Sequence, residues 1–465
     1  MADLKNKNAK YFDLAKNMML FSVSSFGTKI ISFLFIPLYT AVLSTDEYGS
    51  ADLLSSTVSL LIPVLSLNIQ DAVMRFSLDK DYKKEDVIST GVRINFYGLL
   101  FLALGITALS KVNILKLESK WLVFLFITYA TGVFNNCFTL YLKGKEKVSV
   151  LAVSGILNTF FSSIFNVIFL LIIKAGIDGY LLAHFIGSFI AVMYQLFAGK
   201  IYKDIKLLKF QDLSKKMIGY SLPLVANSLS WWINNASDRY ILTFLCGVAQ
   251  NGIYSMAYKI PTILSTIQTI FYNAWSISAV KEFDKDDKDG FIGNMYSMYS
   301  FLSIIACSVI MIFNVPIARI LYAEEFFVAW KCVPFLLVGT VFNGIALFQG
   351  CIFTAVKQTK AVSITTMIGA AVNTVCNVVC IFFMGSIGAA LATLIGYMVT
   401  WILRLMKLKK IVHMKVEWNR HFLCIGLLIL QALLALDTSL TIMQIVLFGI
   451  MILLQRKQLK KIIRR

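Results

Sequence analysis

Charge is what this sequence has least of. Only 15% of its 465 residues are Asp, Glu, Lys or Arg, while 58% are hydrophobic. A water-soluble domain carries about 25% charged and about 45–50% apolar residues. A soluble enzyme and a disordered chain are therefore both excluded. Histidine is scarcer still, with His184, His413 and His421 far apart along the chain. There is no metal-ligand cluster, no glycine-rich phosphate loop and no nucleophile beside a base. No cofactor, metal or catalytic residue is expected, and the chain does not read as an enzyme. Six prolines and 26 glycines exclude a long linker. The eight cysteines form no CxxC pair; Cys376 and Cys380 share a helical face, without a His or acid beside them, and read as small apolar side chains. The segments between apolar runs are all short, which argues against a membrane glycosyltransferase, polymerase or ligase that needs a folded loop domain.

What is present is a succession of long apolar runs. A membrane helix needs about 20 mostly apolar residues. Fourteen runs qualify, at 17–43, 50–70, 87–110, 121–142, 148–173, 180–199, 217–245, 252–279, 291–321, 331–356, 361–384, 389–406, 421–436 and 441–455. They do not alternate with period 2, as β-barrel spans do. The expected fold is an all-α integral membrane protein of 14 transmembrane helices. The first run exceeds the roughly 7–15 apolar residues of a signal peptide and lacks a small-residue cleavage site, so it is expected to stay as helix 1.

Loop charge sets the orientation. Alternate segments, starting with the N-terminal one, hold most of the 44 basic residues, including Arg75, Lys143, Lys145, Lys147, six lysines between Lys200 and Lys216, and six basic residues between Arg404 and Arg420. The opposite loops hold only Lys111, Lys116, Lys120, Lys174 and Lys331. Both termini are expected in the cytoplasm. Most of the formal net charge of +19 then reports topology, and no nucleic-acid partner is expected.

The chain repeats itself. Gly176-Ile177-Asp178-Gly179-Tyr180-Leu181-Leu182-Ala183-His184-Phe185-Ile186-Gly187 matches Gly385-Ser386-Ile387-Gly388-Ala389-Ala390-Leu391-Ala392-Thr393-Leu394-Ile395-Gly396, with all three glycines shared. The copies fall at the junctions of spans 5–6 and 11–12. Spans 1–6 (residues 1–200) and 7–12 (201–406) therefore read as two parallel six-helix bundles, with spans 13–14 and a basic tail (407–465) appended. Transporters of this kind hold substrate between their halves and rock them alternately.

Four spans carry polar stripes on one helical face. Helix 1 has Ser22, Ser25, Lys29 and Ser32; helix 2 has Asp52, Ser59, Ser66 and Gln70. Helix 7 has Asn227, Ser230, Asn234 and Asp238, and helix 8 has Ser255, Lys259, Thr262, Thr266, Thr269 and Asn273. Ser, Thr and Asn alone serve as glue between membrane helices, the expectation for Asn158, Ser162, Asn166, Asn373 and Asn377. Charge alters that reading, because an ionisable side chain inside a membrane is costly unless it meets water or a partner. Lys29, Arg93, Arg239, Lys259 and Arg319 lie within spans. At about 1.5 Å per residue, Lys29 is about 18 Å from the inner end of its helix, Arg93 about 9 Å from its inner end, and Arg239 and Lys259 about 10 Å from their outer ends. Arg319, near an outer end, is expected to snorkel. A water-filled cleft lined with cations suits an anionic substrate, since arginine and lysine bind phosphate strongly. Ser25, Ser32, Asn227, Asn234 and Thr262 are expected to line it. Asp238, Asp71 and His184 are the candidates for ion pairing or coupling.

The stretch Asn17, Pro37, Leu43-Ser44, Glu47-Tyr48-Gly49, Ala72 and Arg75-Phe76 resembles the polysaccharide-unit flippases, the Wzx-like branch of the MOP (MATE-like) superfamily. So do Tyr220-Ser221-Leu222-Pro223, Ser230-Trp231-Trp232, Asp238-Arg239-Tyr240-Ile241-Leu242, Gly252-Ile253-Tyr254-Ser255 and Ala257-Tyr258-Lys259. The resemblance covers nearly the whole chain. It implies a 6+6+2 helix fold in a bacterial cytoplasmic membrane. It also implies movement of an undecaprenyl-diphosphate-linked oligosaccharide from the inner to the outer leaflet, alongside polysaccharide polymerase and assembly proteins. The cationic cavity would then be lined by Lys29, Arg239 and Lys259, with Arg93 and Arg75 as further cations. A multidrug or small-solute antiporter of the same fold, a peptidoglycan-precursor (lipid II) flippase and a non-transporting scaffold remain as alternatives.

Overall fold

The computed structural model describes residues 27–79, 81–112, 118–206, 211–281, 283–454 and 456. All regular structure among them is helical. The principal helices are α1 (Gly27–Val42), α2 (Thr45–Leu65), α3 (Ile69–Ser77), α4 (Lys84–Val112), α5 (Ser119–Gly144), α6 (Val148–Ile172) and α7 (Gly176–Ala198). They are followed by α8 (Gln211–Cys246), α9 (Val248–Ala257), α10 (Pro261–Lys281), α11 (Phe291–Ile312), α12 (Val333–Ala355), α13 (Thr359–Leu408), α14 (Trp418–Leu434) and α15 (Thr441–Leu454). Eight helices among the described residues are long and apolar enough to cross a membrane: α2, α4, α5, α6, α7, α11, α12 and α13. The chain is a multi-pass helical membrane protein.

Local sequence explains where these helices start, bend and stop. α2 begins earlier than its apolar run, because Ser44 and Glu47 form a capping box. The Glu47 N–H donates to Ser44 Oγ at 3.2 Å and the Ser44 N–H to Glu47 Oε2 at 2.9 Å. The run expected to continue to residue 70 instead breaks after Leu65, with Leu67 and Asn68 both at φ 52°. Side chains bridge the break: Ser66 Oγ donates to Gln70, Gln70 Nε2 to Asn68, and Asn68 Nδ2 to Asp71 at 2.6 Å. The run 252–279 also divides, at Tyr258–Ile260, just before Pro261. Proline lacks an N–H and its ring collides with the carbonyl four residues back. The run 291–321 stops at Ile312. Arg319 therefore lies in a separate short helix, Asn314–Leu321, rather than in a span.

The two sequence repeats share their local geometry. Gly176 has φ 55° and Gly385 φ 56°, the latter with ψ −132°, positive-φ backbone that glycine adopts and L-residues avoid. At Gly385 the 50-residue α13 departs from helical geometry and kinks, at the boundary expected between runs 361–384 and 389–406. The last glycine of each copy allows a close helix approach. A methyl group at Gly187 would overlap Ser162 of α6, and one at Gly396 would meet Asn373 in the preceding arm of α13. The half-buried Asn158 and the buried Ser162 and Asn166 bond within α6, and Asn377 donates to Asn373 at 3.1 Å.

Contacts group the described chain into two compact units. Unit 1 comprises residues up to Leu43 with Ser50–Asn235; unit 2 comprises Ser44–Gly49 with Ala236 onward. The core of unit 1 includes Ile69, Val73, Val87, Ile88, Cys137, Tyr141 and Leu142. One edge of it is tied by Lys145 to Asp204 at 2.6 Å, with the Tyr141 hydroxyl donating to the same carboxylate at 3.0 Å. Unit 2 is built around α12, most of which is buried. Trp275 of α10 stacks on Phe348 of α12 at 4.2 Å, and α14 is fixed to α11 by Ser308 Oγ donating to Gln431 at 2.6 Å. The first turn of α2 belongs to this unit because it crosses α9 at backbone contact. A methyl at Gly49 would overlap the Val248 carbonyl, one at Gly252 would overlap the Thr45 carbonyl, and Asn251 Nδ2 donates to Gly49 O at 3.1 Å.

Candidate functional site

In unit 1, Lys29 and Ser32 lie one turn apart on α1, both exposed. Ser32 Oγ donates back to Thr28 O at 2.9 Å. Ser25 lies outside the described residues. Arg93 on α4 is half-buried. Arg75, at the end of α3, is exposed and 3.8 Å from Asp79, an i,i+4 surface pair worth about 0.3–0.5 kcal/mol. Asp71 sits in the first turn of α3, where a helix N-terminus favours a carboxylate, and is engaged by Asn68. His184 is exposed on α7 and packs edge-on against Tyr180 at 4.5 Å, itself 5.1 Å from Tyr39. Asn227 is exposed on α8; the side chain of Asn234 is outside the described set. Trp232, on another flank of α8, donates its indole N–H to Ser56 O of α2 at 2.8 Å.

Unit 2 gathers a more compact group. Asp238 is 4% exposed. Its Oδ2 accepts a bond from the fully buried Tyr254 hydroxyl, which also lies 3.0 Å from Thr393 Oγ1 and 3.3 Å from the Tyr258 hydroxyl. The Arg239 backbone N–H donates to Asp238 Oδ1 at 3.0 Å, and its guanidinium lies 5.9 Å from the Tyr258 ring centre. The residues brought together here thus come from α8, α9, the α9–α10 break and α13. Lys259 occupies that same break, 5.9 Å from the Tyr48 ring, and Thr262 donates to the Lys259 carbonyl. Interrupted membrane helices carry backbone groups and side chains that a continuous helix keeps satisfied internally, which is why transporters place polar sites at such points.

Sequence reasoning passed over Tyr254, Tyr258 and Thr393. The i,i+4 spacing of the two tyrosines was the available signal. It also assigned Arg404 to a cytoplasmic segment. That side chain is buried in α13, where Nε donates to Thr365 at 3.2 Å, one terminal nitrogen to Thr366 at 2.9 Å and the other to the Ala346 carbonyl.

Fold and site together define a class: a multi-pass helical membrane protein with an internal sequence repeat, cations on several helices and at the α9–α10 break, and a buried carboxylate on α8. Residues 14–276 match the model of the Polysaccharide biosynthesis protein family. That is more than half of the chain, and the chain belongs to this family. It is 20% identical over 420 residues to the probable low-salt glycan biosynthesis flippase Agl15 of Haloferax volcanii, covering 89% of this chain and 87% of that one. Its fold is similar to that of solved MOP-superfamily proteins. The lipid II flippase MurJ, in an inward closed conformation, superposes with a TM-score of 0.71 at 15% identity over 96% of this chain and 100% of that chain. A multidrug resistance MATE family transporter in its inward-facing conformation gives 0.66 at 12% identity over 82% and 95%.

Proposed function

We propose that this protein is a flippase for a lipid-linked glycan. It would carry an undecaprenyl-diphosphate-linked oligosaccharide from the cytoplasmic to the outer leaflet of a bacterial cytoplasmic membrane, by alternating access of a 14-helix, 6+6+2 fold with both termini in the cytoplasm. The supporting observation is the placement of cations on polar helix faces and helix breaks: Lys29 exposed on α1, Arg93 half-buried on α4, Arg239 beside Tyr258 and Lys259 in the α9–α10 break. A diphosphate is the part of such a substrate most costly to move through hydrocarbon, and charge-assisted bonds from Lys and Arg replace its water. Arg75 serves at the rim, Ser25, Ser32, Asn227, Asn234 and Thr262 line the polar path, and Asp238, Asp71 and His184 are the groups through which transport couples to an ion. In cells lacking the gene, lipid-linked saccharide is expected to accumulate at the cytoplasmic leaflet and surface glycan to disappear. Normal surface glycan would overturn the reading.

The buried Asp238 favours a second reading, a small-solute antiporter, because an intramembrane acid is what cation-coupled exchange needs. Drug efflux by the purified protein in liposomes, abolished by Asp238→Asn, would support it over the flippase. A peptidoglycan precursor as cargo is separated by the same deletion, which would then arrest cell-wall synthesis rather than surface glycan.

A further inference from the structure

α8 exposes two chemically different edges. At about 100° per residue, its buried flank holds Met217, Ser221 and the anchored Trp232. One edge of the exposed arc carries Leu222 and Ile233, as expected of a surface against hydrocarbon. The other carries Tyr220, Asn227 and Trp231. Trp231 is 50% exposed. Among the described residues neither its indole N–H nor the Asn227 amide has a partner.

Membrane tryptophans gather at the two interfaces. Trp231 instead lies about 22 Å from the Cys246 end of α8 and about 30 Å from its Gln211 end, well inside the helix. An unpartnered amide beside it would be costly in lipid, so this edge suits water and a polar ligand better than hydrocarbon. A flat ring with an N–H at its rim, flanked by the amide of Asn227 one turn away, matches a sugar ring. The sugar's C–H face would pack on the indole while its hydroxyls bond to the N–H and the amide. An anion is a poor match, because the face of an aromatic ring carries negative charge. Tyr220 presents a second ring on the same edge three turns away, about 16 Å, steadied edge-on by Phe76 at 6.0 Å.

We propose that Trp231, with Asn227 one turn away on the same face, is a stacking platform for the saccharide part of the substrate, separate from the cations that take the diphosphate. The proposal rests on the flippase reading above. Cells lacking the gene are complemented with wild type, Trp231→Leu or Trp231→Phe, and the lipid-linked saccharide that accumulates without the gene is extracted as a binding probe beside undecaprenyl diphosphate alone. Trp231→Leu is expected to bind the extracted saccharide about tenfold more weakly, a difference of about 1.4 kcal/mol, to leave affinity for undecaprenyl diphosphate unchanged, and to lower surface glycan. Trp231→Phe, which keeps a ring, is expected to restore most of both. Equal loss for both probes, or no loss by Trp231→Leu at wild-type protein level, would overturn the platform. Failure of the wild type itself to clear the accumulated lipid would overturn the flippase reading instead.

Discussion

Lys29 and Arg404 show how differently two cations in one chain are used. Arg404 is surrounded by neutral acceptors on α12 and α13 and is buried with them. Its work is to join helices. Arg404→Met is therefore expected to lower thermal stability in detergent by about 1–3 kcal/mol, the cost of leaving buried acceptors unpaired, while transport per folded molecule stays near wild type. Lys29 is exposed on a polar edge, and Lys29→Ala is expected to cost transport about tenfold to a hundredfold, the worth of a bond to a charged group. Lys29→Arg is expected to keep most activity in a leaflet-specific flipping assay. The two cations could not be told apart in the sequence as well as in space. Lys29 was legible because no loop could hold it. Arg404 was counted only as a cytoplasmic charge, because the positive-inside rule weighs position along the chain and is blind to packing. Asp238 stood out as an acid within an apolar run, but its partner Tyr254, and Thr393 which bonds Tyr254 in turn, lie on other helices, 139 residues apart from one another.

Among the helices, punctuation was legible where it is written in single residues. The repeat glycines marked both turns, and Pro261 stands directly after the break in the 252–279 run. The break between α2 and α3 carries no such mark, since Leu67 and Asn68 are held at φ 52° by the side-chain bridge of Ser66, Gln70, Asn68 and Asp71. Gly385→Ala is expected to destabilise unit 2 by about 1–3 kcal/mol through its positive φ, and Gly176→Ala to destabilise unit 1 likewise; thermal unfolding of each variant measures it. Ser44→Ala removes the capping box of α2 and is expected to cost about 1 kcal/mol, seen as a lower unfolding temperature.

At the scale of the whole chain, composition and loop charge gave the class, the helical architecture and an orientation before any coordinate. Single cysteines introduced for labelling test that orientation: Asp286→Cys is expected to react with a membrane-impermeant maleimide only from the cytoplasmic side, and Ala323→Cys only from outside. Helix pairing was not legible, because in lipid it depends on small residues and interhelical bonds rather than on the amount of apolar surface. The crossing of α2 and α9 is the clearest case, with Gly49 and Asn251 separated by 202 positions.

That crossing has a consequence for biogenesis. Ser44–Gly49 is synthesised early, yet it belongs to the unit whose remaining residues begin at Ala236. At about 5–20 residues per second a ribosome needs roughly 10–40 s to make the intervening chain. During that interval the first turn of α2 waits in the membrane without its partner helix, its backbone ends satisfied by Ser44 and Glu47. Assembly of this protein is thus a matter of timing as well as of affinity. A nascent chain halted before Val248 would present a preformed helical turn and no surface on which to seat it.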